Sequence, residues 1–106
     1  MSYRGDAPAN ATITITLTAD SNNSGKAMLT AGVGVAGGEP KGGAELVDPG
    51  KTGSVTVKTP KKGILKVVVD FTDEDDSGDL EVTGPGGFSD GETIEGDTVW
   101  TYSVEE

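Results

Sequence analysis

The stretch "ATITITLTAD" alternates apolar and hydroxyl side chains without a fault, with Ile13, Ile15 and Leu17 on one face and Thr12, Thr14, Thr16 and Thr18 on the other. Only an extended strand, in which successive side chains point to opposite faces, sorts such a stretch into one apolar and one polar side. The same period of two recurs in "KAMLTAGVGVAG", "GSVTVKT", "ILKVVVDF", "DLEVT" and "DTVWTYSV". Weaker strands are expected near Ala44–Val47 and Glu92–Glu95. Between them lie "DSNNSGK", "TPKKG", "DEDDSGD", "GPGGFSDGE" and "EGD", all rich in turn formers. No window of twelve or more residues shows helical spacing free of Gly or Pro.

Seven or eight short strands in 106 residues predict one all-β domain, an antiparallel β-sandwich of immunoglobulin-like or jelly-roll type. Residues 11–106 form this domain, and residues 1–10 are expected as a flexible N-terminal arm. "TPKKG" reads as a tight hairpin that pairs the strand near Lys58 with the one near Lys66. The irregular segment Gly37–Gly53 is expected to cross between sheets. Trp100 and Tyr102 share one face of the last strand and are expected in the core.

The composition removes most enzyme classes. There is no Cys, hence no disulfide, zinc-thiolate or iron–sulfur site, and no His, the usual general base and transition-metal ligand. No run of 18 apolar residues offers a membrane-spanning segment. The N-terminus lacks an apolar signal region. The chain is therefore expected either to be made in the cytoplasm and assembled into a particle, or to be an excised extracellular domain.

Charge is distributed in blocks. Residues 1–50 carry three basic and five acidic groups, residues 51–69 five lysines and no acid, and residues 70–106 thirteen acids and no base. The total of -10 repels nucleic acid and anionic membranes and favours cations or a basic partner.

Several short motifs fail on context. "GVGVAG" (Gly32–Gly37) has the dinucleotide-binding spacing, but the "GEPKGG" that follows cannot open the helix such a site needs. "GKT" (Gly50–Thr52) has Glu45 where a phosphate loop requires glycine. The Thr ladder of "TITITLT" is single and reads as the exposed face of an edge strand. "RGD" (Arg4–Asp6) lies in the expected arm and reads as a chance tripeptide.

"DFTDEDDSGDLE" (Asp70–Glu81) is the richest segment, with seven carboxylates in twelve residues. Asp73, Asp75, Ser77 and Gly78 repeat the first half of a calcium loop. Alternating oxygens on a sharply turning backbone converge on a cation that wants six to eight hard ligands at about 2.3–2.6 Å. Asp70, Asp76 and Asp79 add further carboxylates. The twelfth position is Gly84 rather than Glu, so the loop is not an EF-hand. A second acidic stretch, "SDGETIEGD", brings Asp90, Glu92, Glu95 and Asp97, and both are expected at one end of the sandwich. Calcium is the one cofactor expected, with Asp70, Asp73, Asp75, Asp76, Ser77 and Asp79 as its ligands.

The order "GILKVVVDFTDEDDSGDLEVTGPGG" resembles the strand, acidic loop, strand and turn of bacterial pre-peptidase C-terminal domains. That resemblance covers about a quarter of the chain. It implies a jelly-roll-like fold, calcium binding and a role in attaching enzymes to substrates.

The expected function is non-enzymatic: a surface or decoration-type subunit of a larger assembly such as a virion. Lys51, Lys58, Lys61, Lys62 and Lys66 would dock against the acidic third of another copy or of a protein partner. The alternative is a calcium-binding adhesion or carbohydrate-binding module.

Overall fold

A computed structural model describes residues 2–34 and 41–106. The alternating segments all form strands: β1 (Ser2–Ala7), β2 (Thr12–Ala19), β3 (Ala27–Gly34), β4 (Lys41–Val47), β5 (Thr52–Lys58), β6 (Lys62–Asp70), β7 (Ser77–Thr83), β8 (Ser89–Glu95) and β9 (Thr98–Glu105). They make a β-sandwich of two sheets, one in the order β1-β9-β6-β3-β4 and one in the order β5-β2-β7-β8. Pairing is antiparallel except between β1 and β9, which run parallel.

The alternation predicts the core residue by residue. Ile13, Ile15 and Leu17 of β2 and Leu65, Val67 and Val69 of β6, from opposite sheets, are all inaccessible to solvent within one apolar core. Leu29, Leu80, Val82, Trp100 and Tyr102 complete the same layer. Burying each such side chain contributes about 1.5–3 kcal/mol, which makes this layer the main source of stability.

Three expectations change. Among the described residues nine strands form rather than seven or eight, because the segment expected as an arm is strand β1 and the two weaker segments are the full strands β4 and β8. Gly37–Gly53 is not one irregular crossing. Its residues 37–40 lie outside the described residues, β4 pairs with β3, and the passage between sheets is confined to Asp48–Lys51. "TPKKG" is not a hairpin either: β5 pairs with β2 in the smaller sheet, whereas β6 lies between β3 and β9 in the larger one. Period-two patterning states which face a strand buries, not whether the next strand lies beside it or across the core.

Local chemistry explains the crossing. Thr59 is 3% exposed. Its hydroxyl donates to the Pro8 carbonyl at 2.7 Å and accepts from the Ala11 amide at 2.9 Å. Its own amide donates to the Ala11 carbonyl at 2.8 Å. The chain is thus pinned inward just before Pro60, which has no amide to continue a ladder. Thr59→Val keeps the shape and strands the buried Ala11 amide. Urea unfolding is expected to show a loss of about 1–3 kcal/mol.

Candidate functional site

Strand registers place four connections at one end of the sandwich: residues 20–26, 48–51, 71–76 and 96–97. The acidic stretch Asp70–Asp79 runs through this end, and the structure distributes its carboxylates among different tasks.

Asp76 is buried. One carboxylate oxygen accepts from the Ser24 amide at 2.8 Å, and the other from the Ser24 hydroxyl at 2.9 Å and the Asp73 amide at 3.3 Å. The Ser24 amide is the main cause that holds this carboxyl below the usual carboxylate range, against the opposing push of burial. Asp76 therefore ties the β6–β7 loop to the β2–β3 loop. Around it, Asn23 exchanges two hydrogen bonds with the backbone of Ser77, at 2.8 and 2.9 Å. Asp73 accepts from the Asp75 amide at 3.0 Å, a local turn in which the aspartate caps its own loop.

The remaining expected ligands spread out. Asp70 closes β6, and Asp73 and Asp75 are exposed in the loop. Ser77 opens β7. Asp79 lies on the outward face of β7 and accepts from the Thr93 hydroxyl at 2.7 Å. Among the described residues, no three acidic side chains are gathered in a group that would hold a metal ion.

The second acidic stretch is mostly the strand β8 rather than a loop. Its turn does reach the first loop: Asp97 accepts from the Phe71 amide at 2.9 Å, and the Gly96 amide donates to the Asp76 carbonyl at 2.9 Å. Asp90 and Glu92 instead belong to a cluster that sequence reasoning missed. Arg4 donates to both carboxylate oxygens of Asp90, at 3.0 and 2.9 Å, and to Glu92 at 3.3 Å. Tyr102 donates its hydroxyl to Asp90 at 2.7 Å. The guanidinium carbon of Arg4 stands 4.0 Å over the Trp100 ring, a cation–π contact.

This cluster closes one open side of the sandwich, because β1 and β8 are the edges of opposite sheets. Its backbone device is a bulge in β1, where the register with β9 slips between Tyr3 and Gly5. Gly5 has φ +131°, a conformation that favours glycine and turns Arg4 inward. The "RGD" tripeptide is therefore a strand segment whose Arg4 side chain is only 19% exposed. Its Asp6 accepts from the Tyr3 hydroxyl at 3.0 Å. The available signal was composition: Arg4 is the one arginine beside seven lysines, and a planar fork suits bidentate pairing with a carboxylate.

The Arg4 bond is the main cause that holds Asp90 below the usual carboxylate range, and Asp90 in turn raises Arg4 further above its ordinary value. Burial first, then Asp90, pushes the Tyr102 phenol up.

The expected lysines also divide. Lys58, Lys61 and Lys62 gather at the end opposite the acidic loops. Lys61 and Lys62 make only exposed contacts, to Glu106 at 3.9 Å and Glu105 at 3.8 Å. Lys51 stands among the acidic-end connections, and Lys66 on the outer face of the larger sheet.

Three outcomes are expected of these clusters. Arg4→Lys loses the bidentate fork and is expected to destabilise by about 1.5–3 kcal/mol in chemical denaturation, with an Arg4/Asp90 double-mutant cycle showing strong coupling. Because the folded-state pKa of Asp90 is depressed, its stabilisation is complete above the unfolded carboxylate range and is lost as pH falls through the folded value. Trp100 fluorescence should report that acid loss in the wild type and not in Arg4→Ala. Asp76→Ala is expected to lower Tm by several degrees equally in calcium and in chelator, since it removes a bond network internal to the protein. A drop confined to calcium-loaded protein would instead mark Asp76 as a ligand. No family model matches the chain, and neither a curated protein nor a solved structure matches it.

Proposed function

We propose that the chain is a non-enzymatic structural subunit of a larger assembly, of the surface or decoration kind found on particles such as virions, and that copies associate through oppositely charged ends. The observation that carries this reading is the segregation of charge along a body about 40 Å long. Asp70, Asp73, Glu74, Asp75 and Asp97 outnumber Lys26 and Lys51 at one end, and Lys58, Lys61 and Lys62 stand with Glu105 and Glu106 at the other.

The lysines are free to exchange partners. Exposed ion pairs at 3.8–3.9 Å contribute about 0–1 kcal/mol, so an acidic surface on another molecule competes with Glu105 and Glu106 at little cost. A head-to-tail contact of this kind is heterologous, and it propagates into rings or open chains rather than stopping at two. The non-enzymatic part of the reading rests on composition: with no His and no Cys the usual general base and thiol nucleophile are missing, and the two carboxylates held below their ordinary range, Asp76 and Asp90, are committed to internal bonds.

Sedimentation velocity at low and high salt tests the proposal. The expected result is a concentration-dependent ladder of species at low salt that collapses at high salt, and that is absent in Lys61→Glu/Lys62→Glu. A distribution indifferent to both salt and the double substitution would overturn the head-to-tail contact.

A further inference from the structure

The two outer faces of the sandwich differ in kind. The smaller sheet presents Thr, Ser, Asp and Glu. The larger sheet presents an apolar relief, with Leu46 56% exposed at its edge. Its relief is ordered in rows across the strands. Met28 of β3 pairs with Leu46 of β4 and Asp70 of β6. Two residues along, Thr30 pairs with Ala44 and Val68. Two further, Gly32 pairs with Gly42 and Lys66. The glycine row is a trough of about 430 Å³ bounded by Thr30, Ala44, Lys66 and Val68. Its floor is fixed, since a β-carbon at Gly42 would collide with the Ala31 carbonyl.

A row with Leu46, Met28 and Asp70 and a row with Gly42, Gly32 and Lys66 thus stand at equal distances, about 6.8 Å, on either side of the row through Val68. A two-fold axis along that central row, perpendicular to the strands, exchanges them. We infer that this face is an isologous interface with a second copy of the chain: Leu46 and Met28 of each copy fill the trough over Gly42 and Gly32 of the other, and Lys66 of each meets Asp70 of the other across Val68. The same rotation reverses the strands, so it sets the acidic end of one copy beside the Lys61 and Lys62 end of its partner. Shape and charge are satisfied by one operation, although each copy is strongly acidic. Three strands about 4.8 Å apart and three rows about 6.8 Å apart give a central patch of about 300 Å² per copy, which β9 and β1 extend on one side, so the contact belongs to the small, weak class of interfaces.

The pairing is centred on the sheet face rather than on the ends that make the head-to-tail contact, although it also brings those ends side by side. It closes at two copies, and its apolar centre persists at high salt, where contacts between exposed ends are screened.

Sedimentation equilibrium of the whole chain at high salt, with circular dichroism to verify that each variant folds, tests the inference. The wild type is expected to be a dimer in equilibrium with monomer. Measured at physiological salt, where the pair is not screened out, Lys66→Asp and Asp70→Lys each bring like charges together and are expected to raise the dimer dissociation constant at least about tenfold. The Lys66→Asp/Asp70→Lys double variant restores opposite charges and is expected to recover most of the loss. Leu46→Glu, at an exposed position that costs the monomer little, should also abolish dimers. A wild type that stays monomeric, single variants without effect, or a double variant as weak as the singles would each overturn the pairing.

Discussion

Two sheets of a sandwich are held by one apolar layer, and here neither sheet can supply that layer from neighbouring segments. Six of the eight connections cross from one sheet to the other, and only β3–β4 and β7–β8 stay within a sheet. β2 therefore pairs with β5 and β7, and β6 with β3 and β9. Every central pairing joins strands separated by another element. The shared core of Ile13, Ile15 and Leu17 from one sheet with Leu65, Val67 and Val69 from the other forms only when the chain has crossed between the sheets. Such a topology places loop-closure entropy ahead of contact formation, a cost that local hairpins avoid.

Once the layer is formed, the open sides of the sandwich remain. On one side the covalent passage Asp48–Lys51 holds β4 near β5, with hydrogen bonds from the Gly50 and Ala19 amides to the Ala19 and Lys51 carbonyls, at 3.0 and 2.9 Å. On the other side no connection links β1 to β8, and Arg4 does the joining. It reaches from a bulge in one edge strand, over Trp100, to Asp90 in the other. Because the clamp is ionic, that side of the molecule is sensitive to acid in a way that the apolar layer is not.

Legibility in the sequence follows from the same physics. Which residues face the core could be read directly, since alternation is a property of each strand alone. The Lys58–Lys66 hairpin could not, because partner choice depends on crossings that leave no trace in the period. The Thr ladder shows the same limit. Thr14, Thr16 and Thr18 read as the face of an edge strand, yet β2 is central, and they meet Thr56, Ser54 and Thr52 in register, with hydroxyl contacts of 3.0 and 3.1 Å for the last two pairs. In the acidic stretch, counting carboxylates located the segment but not its tasks. Asp76 and Asp73 cap backbone amides, Asp79 turns outward, and the partner that explains Asp90 sits 86 residues away.

The outer faces carry the last step. A strand in a two-layer sandwich has one side committed to the core and one side free of that constraint. β2 and β5 spend the free side on hydroxyl groups, and β7 on acids as well as threonine, which keeps the smaller sheet wet. β3, β4 and β6 interleave Thr30, Lys66 and Asp70 with Met28, Leu46, Val68 and glycines, residues that give solubility nothing. Gly42 cannot be exchanged for a larger residue without disturbing β3, so the trough is a condition of the fold. Leu46 has no such excuse: it is exposed, and a polar side chain would fit there equally well. An apolar side chain at that position, two rows from an enforced trough, is what the proposed pairing with a second copy accounts for.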